Sequence, residues 1–253
     1  MTQLSVNINK VALLRNSRHG AQPDPVRAAE AALDAGAHGV TVHPRPDRRH
    51  IRPDDVTRCV ELLAQDRWRD RKCEFNIEGN PFTGDWMDIV KAARPDQATL
   101  VPDTPDQFTS DHGWSIAADL DRLRRVVDEL HEAGCRVSLF MDPDVSAIEQ
   151  VPATGADRIE LYTEGYAQAH VQGGAALEQS HRLYHDAAQA AHALGLGVNA
   201  GHDLSLHNLA RFCTIPHIAE VSIGHALIGD AILMGMDATV AAYLSLIEVG
   251  NTW

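Results

Sequence analysis

Three side chains that handle protons stand where apolar, strand-like segments end: His43 after "GVTV", Glu78 in "EFNIEGNP" and His202 in "GVNAGH". Imidazole titrates near neutral pH, so His43 and His202 suit proton shuttling. A carboxyl group partly withdrawn from water has its pKa raised toward neutrality, which fits Glu78 to a general base. Cations gather beside the first histidine. The stretch "TVHPRPDRRH" brings Arg45, Arg48, Arg49 and His50 into one short loop. Arginine grips phosphate or carboxylate through a planar fork. Such a run is usually a solvated loop, and Arg48 and Arg49 are expected to be that. Arg45 and His50 are expected to form an anion site, with Arg18 in the loop after the first strand as a further candidate. Two Gly-His pairs, in "VNAGHDLS" and "SIGHALIG", suit a second anion, because glycine allows close backbone approach and free N–H groups at a helix start attract negative charge.

These residues need a frame that brings distant segments to one place. Short β-rich segments alternate with Ala/Leu-rich helical patterns along the whole chain. The strand segments are expected at 4–8, 39–43, 74–78, 97–101, 136–140, 158–162, 197–201 and 220–224. Helices are expected at about 25–35, 52–65 and 117–133, with further ones after strands 3, 5, 6 and 7 and a last one to about 248. Pro25 suits a first helical turn, and Gly36 a helix stop. Eight βα units predict a (β/α)8 TIM barrel with additional helices, read as a single domain over 1–253. A doubly wound open sheet is the rival. It lacks support, because "VNINKVALLRN" carries no glycine where a dinucleotide fold needs several. In a barrel the active site lies at the C-terminal strand ends, and there the polar residues Asn7, Asn9, His43, Glu78, Asp103, Asp142, Glu160, His202 and His225 collect. Asp142 and Glu160 are also readable as structural partners of an arginine, and Asn199 as a hydrogen-bonder inside the barrel. The segments at about 102–116 and 163–173 read as long loops, the usual place for function.

The bulk numbers narrow the partners. Lys+Arg 22 against Asp+Glu 35 gives a net charge of −13, which argues against nucleic acid and anionic membranes in general. An anionic ligand therefore needs a local cationic pocket. No run of 18 apolar residues suggests a membrane span, and the N-terminus lacks the pattern of a signal peptide. Cys59, Cys73, Cys135 and Cys213 are scattered, without CxxC, and read as reduced thiols of a cytoplasmic protein.

The segments "SVNINKVALLRNSR", "GVTVHPRPDRRHI", "NIEGNP", "RIELYTEGYA", "GVNAGHDLSLHN" and "SIGHALIGDA", taken in order, resemble the pyridoxine 5'-phosphate synthase family nearly end to end. The resemblance implies a (β/α)8 barrel with extra helices, usually assembled as an octamer. It implies condensation of two small phosphorylated carbonyl substrates, 1-deoxy-D-xylulose 5-phosphate and 3-amino-1-hydroxyacetone phosphate, to pyridoxine 5'-phosphate, inorganic phosphate and water, with no metal and no organic cofactor. By motif, His43 and Glu78 match the family's proton acceptors and His202 its proton donor. Asn7, Arg18, Gly224 and His225 match contacts to the amino-ketone phosphate. Asn9, Lys10, Arg45, His50 and Thr109 match positions touching deoxyxylulose phosphate. The chain departs at 9–10, Asn-Lys in place of Asp-His, and at Asp203, where a glycine binds phosphate through its backbone.

Other readings remain open on the residues alone. A metal-dependent barrel hydrolase would want His-x-His after strand 1, where this chain has Asn-Ile-Asn. A sugar-phosphate isomerase would explain Glu78 and the late glycines but leave Arg45 and His50 idle. A non-catalytic sugar-phosphate sensor is favoured if Asn9, Lys10 and Asp203 have disabled the chemistry. A lysine Schiff-base aldolase is disfavoured, since none of Lys10, Lys72 and Lys91 lies at a late strand end.

Overall fold

Alternation within each strand decides how this chain folds. Successive strand residues point to opposite faces, and here one face is apolar and the other polar. In the computed structural model, which describes residues 1–252, eight parallel strands close into a barrel in sequence order, with β8 pairing β1. They are β1 (Gln3–Asn7), β2 (Gly39–Val42), β3 (Glu74–Gly79), β4 (Gln97–Leu100), β5 (Arg136–Met141), β6 (Arg158–Tyr162), β7 (Gly197–Gly201) and β8 (Ile218–Ile223).

Leu4, Val6, Val40, Val42, Ile77, Leu100, Leu139, Ile159, Leu161, Ala200 and Val221 are fully buried and join the helices in one apolar core. The helices are α1 (Asn9–Asn16), α2 (Pro25–Asp34), α3 (Pro53–Leu63), α4 (Asp66–Asp70), α5 (Trp86–Ala93), α6 (Ile116–Glu132), α7 (Val145–Ile148), α8 (Glu164–Gln172), α9 (Gly174–Ala193), α10 (Leu209–Phe212), α11 (His225–Met234) and α12 (Met236–Gly250). Local chemistry places several of their ends. Asp24 caps α2 by accepting from Val26 N at 3.0 Å, with Pro25 in the first turn. Asp55 reaches back to Arg52 N at 2.9 Å and closes the start of α3.

The other strand face fills the barrel, and it is polar. Ser5 and Thr41 hydroxyls meet at 2.7 Å, and Thr99 donates to Asn76 at 3.0 Å. Asn199 donates to Gln97 at 3.2 Å and accepts from Arg158 at 2.9 Å, so it is the interior hydrogen-bonder expected of it. Arg136 pairs with Glu74 across two strands. The apolar character that marks the strands in the sequence therefore belongs only to their outward half. Barrel interiors are usually filled by branched apolar residues; this one is a hydrogen-bonded lattice capped at the top by Val101, Phe140 and Tyr162.

Three expectations are corrected. The segment after strand 1 is not plain loop but the helix α1. The segment 163–173 is mostly α8, anchored by fully buried Tyr166, whose hydroxyl donates to Asn208 O at 3.1 Å. The final helical stretch is broken in two at Gly235, whose φ of +82° no helix continues through.

Candidate active site

His43 leaves β2 nearly buried, and its main-chain N–H donates to the Asn9 side chain at 2.9 Å. Asn9 in turn donates its N–H to Asn7 Oδ1 at 3.0 Å, and Asn7 Nδ2 donates to Glu78 Oε2 at 3.3 Å. One short chain of amides thus ties the ends of β1, β2 and β3 together. Glu78 is set from below by Trp86, whose indole N–H donates to the Glu78 carbonyl at 2.7 Å. A side chain on Gly79 would strike that indole at 2.2 Å, so only glycine fits there. Burial pushes the Glu78 carboxyl up to about 8, and the negative charges of Asp103 and Glu220 add to the effect. Such a group is able to take and return a proton near neutral pH.

Glu160 lies beneath, buried, with its Oε2 unpartnered and no arginine against it among the described residues. The structural ion pair considered for it is therefore not formed. Burial first, then Glu78 and Glu220, raise its carboxyl well above the usual range. A Cβ on Gly201 would meet Glu160 Oε1 at 2.4 Å, so that glycine makes the room for it. Asp142 accepts from Gly113 N at 3.1 Å and serves as a loop anchor.

His202 and Asp203 follow β7 with φ of +85° and +58°, the left-handed region that non-glycine residues avoid. The turn is held by Asn208, which donates to Asp203 O at 3.0 Å, and by the Thr163 hydroxyl against Gly201 O at 2.7 Å. It sets the His202 ring edge-on to Tyr162 and Phe140, with centroids 5.2 and 5.6 Å away. Burial depresses its pKa, opposed by Asp203, Asp103 and Glu164 and assisted by Lys10.

The cationic loop divides into buried and partly exposed members. Arg45 is buried and reaches Asp103 Oδ2 at 3.0 Å. Arg48 pairs with Asp85 at 2.5 Å and Arg49 with Asp47 at 2.6 Å, both partly exposed. Arg49 does more than a solvated residue: it donates to the carbonyls of Pro105, Gln107 and Phe108 at 3.1–3.2 Å, lashing the β4 loop to the β2 loop. His50 is buried and accepts from Ile51 N through Nδ1 at 2.9 Å. Burial, then Arg45 and Lys10, lowers it to about 3, so the ring is neutral and Nε2 carries the proton. Lys10, at the start of α1, lies close enough to His50 and His202 to lower both.

His43, Glu78, His202, Asn7, Asn9, Lys10, Arg45 and His50 therefore share one barrel mouth. Gly224 abuts Asn7, to which an added Cβ would come within 3.1 Å, and His225 opens α11 on the exposed rim. Arg18 and Thr109 are exposed, Thr109 between Phe108 and Ser110, which bond Arg45 and Asp103. Arg18 lies beside Arg52 in an open depression of about 480 Å³. Asp203 turns out toward solvent and keeps its charge exposed. Asp103, a strand-end residue to which no role fell by motif, is central: it touches Arg45, accepts from Ser110 Oγ at 2.9 Å and lies 3.8 Å from His43 Nε2. Its placement two residues past the run "ATLV" was the available signal. Among the described residues no cluster of three His, Cys, Asp or Glu side chains is placed to hold a metal ion. No helix is long and apolar enough to cross a membrane.

The family described as "Pyridoxal phosphate biosynthesis protein PdxJ" matches residues 4–249. A pyridoxine 5'-phosphate synthase of Xanthomonas campestris pv. campestris (strain B100) is 53% identical over 99% of this chain and 98% of its own length. One from Albidiferax ferrireducens is 54% identical over 99% of both. Among solved structures, tryptophan synthase from M. tuberculosis superposes with a TM-score of 0.63 at 13% identity, covering 98% of this chain and 93% of that one, a likeness of fold alone.

Proposed function

This chain belongs to the PdxJ family of pyridoxal phosphate biosynthesis proteins, and from that premise we propose that it condenses 1-deoxy-D-xylulose 5-phosphate with 3-amino-1-hydroxyacetone phosphate to pyridoxine 5'-phosphate, releasing phosphate and water. The observation that carries the reading is the convergence of Glu78, His43 and His202 from three strands on one mouth ringed by Arg45, Lys10 and His50. Ring closure needs imine formation, dehydration, loss of phosphate and repeated proton movement. The substrate amine provides the imine nitrogen, so no enzyme lysine has to. Glu78, poised near neutral pH, removes and returns protons at carbon. His43, kept neutral by burial, His50 and Arg45, accepts them. His202, on the turn after β7, donates to the departing oxygen. Arg45, Lys10 and the neutral N–H donor of His50 hold one phosphate; the amides at Gly224 and Asp203 hold the other.

The Asn9-Lys10 pair fits this role rather than opposing it. Asn9 secures the His43 backbone, and Lys10 supplies a cation where an anion is to bind. We extend the proposal to an octameric assembly in the cytoplasm, supported by Ile232 and Leu233 on α11, exposed beside α1, which bares Leu13 and Leu14. Incubating the protein with each substrate alone and with both, then separating products by chromatography, tests the activity. Pyridoxine 5'-phosphate from the mixture only is the expected result; turnover of either substrate alone would overturn it. A monomer in light scattering would remove the octamer.

A further inference from the structure

The Asp103 carboxylate is shared unequally between two groups of the site. Its Oδ2 lies 3.0 Å from Arg45 and accepts from Ser110, while His43 Nε2 stands 3.8 Å away, too far for a hydrogen bond. Its Oδ1 is buried and has no partner. The His43 ring makes no hydrogen bond among the described residues, though its backbone is fixed by Asn9. The Asp103 oxygen nearest the His43 ring is Oδ2, held by Arg45 and Ser110, and the ring stands about an ångström beyond hydrogen-bond reach of it, so the two form an incomplete pair.

We propose that Asp103 is a positioning residue for His43, held back by Arg45 until a phosphomonoester takes the guanidinium. The inference rests on the reading of Arg45 as an anion site. Arginine prefers the bidentate grip that a phosphate offers over the single contact it makes with Asp103. Once Arg45 turns to the anion, Asp103 Oδ2 loses its cation and closes on His43 Nε2–H. That contact places the His43 proton on Nε2 and leaves Nδ1 as the basic lone pair, with the carboxylate stabilising the imidazolium that forms. The groups facing His43 are His50, Arg45 and Arg49 from its own loop, His202 from the β7 turn and Asp103 from the β4 end. Those facing Asp103 are Arg45, His202, His112 and Glu78. Arg45 and Arg49 push His43 toward neutrality, and Asp103 is the one carboxylate among the described residues that lies within 4 Å of its ring. The base is thus weak in the empty site and strengthened when the anion is seated, so that protons are taken from carbon only with substrate in place. Linkage requires the converse, that protonating His43 tightens anion binding.

A ligand-free double-mutant cycle tests this. The His43 ring is followed by nitrogen-15 NMR, assigned by its loss in His43→Asn, in wild type, Arg45→Gln, Asp103→Asn and the double variant. Arg45→Gln is expected to raise the His43 pKa by at least about one unit more when Asp103 is present than when it is Asn, because the direct repulsion by Arg45 cancels in the cycle. Equal shifts in both backgrounds overturn the proposal. Inorganic phosphate added to wild type is expected to raise the His43 pKa and sharpen an Nε2–H signal; an unchanged ring overturns it, even if Asp103→Asn fails to fold. In turnover, Asp103→Asn is expected to lower kcat by about tenfold or more with KM little changed, and Asp103→Glu to recover part of it. The cycle contains no substrate, so its failure leaves the assigned reaction standing, and a different reaction leaves the cycle interpretable.

Discussion

The Arg15 guanidinium grips the Asp55 carboxylate with both ends, Nη1 to Oδ1 at 2.5 Å and Nη2 to Oδ2 at 2.9 Å, both side chains buried. The same Nη2 donates to His50 O at 3.2 Å, and neighbouring Asn16 holds that carbonyl at 2.7 Å. The pair thus joins α1 to α3 and fixes the loop that presents His50. Removing one member of a buried ion pair strands the other, at a cost of about 3–5 kcal/mol. Asp55→Ala is expected to lose that much in urea unfolding and to weaken phosphate binding with it. Unchanged stability would mean that the pair contributes nothing.

Glu78 is deprotonated only at pH values approaching its raised pKa of about 8. A base must be in that form, so kcat/KM is expected to rise with pH toward a midpoint near 8 and to lose that limb in Glu78→Gln. Steady-state rates from pH 5.5 to 9.5 check it. A flat profile through 8 in the wild type would take the base role from Glu78.

The same shift bears on folding. The folded state holds the Glu78 proton more tightly than the unfolded chain, so this group's contribution is complete below about pH 4.5 and declines as pH rises to about 8. Glu220, pushed up to about 7 by burial and then Glu74, acts in the same direction over a shorter window. Urea midpoints of Glu78→Gln are therefore expected to fall less than those of wild type between pH 5 and 8. Parallel curves would contradict the shift.

Gly201 has no room for a methyl group, because Glu160 Oε1 would stand 2.4 Å from it. Gly201→Ala is expected to push Glu160 aside, loosen the His202 turn and lower stability by about 1–3 kcal/mol through overpacking. Crystallography of the variant, with calorimetry, would show the displaced carboxyl, and an unmoved Glu160 would refute the account.

Arg49 ties the β4 loop through three carbonyls, while Phe108 at its tip is exposed. Arg49→Ala is expected to speed proteolysis between 104 and 112, and phosphate to speed it in the wild type by drawing Arg45 off the Thr104 and Phe108 carbonyls, which it reaches at 3.4 and 3.3 Å. Identical digestion rates would show the loop to be indifferent to both.

Much of this was legible in the chain. The eight strands fall within two residues of where the apolar runs put them, because burial of alternate side chains against helices leaves a local pattern. His43, Glu78 and His202 were marked by their position at the ends of those runs and Arg45 by the cationic stretch beside His43, but residue type could not tell buried Arg45 from half-buried Arg48. Closure of the barrel decided the rest. It faced the polar half of every strand inward, tied Asn7 and Asn9 to Glu78 and His43, denied Glu160 an arginine and left Arg18 and Thr109 exposed. It also set Asp103 between Arg45 and His43. A pattern in sequence reports what each residue does to its own segment. Contacts between residues 45 and 103, or 160 and 201, depend on strand register and tilt, which exist only once the sheet has closed.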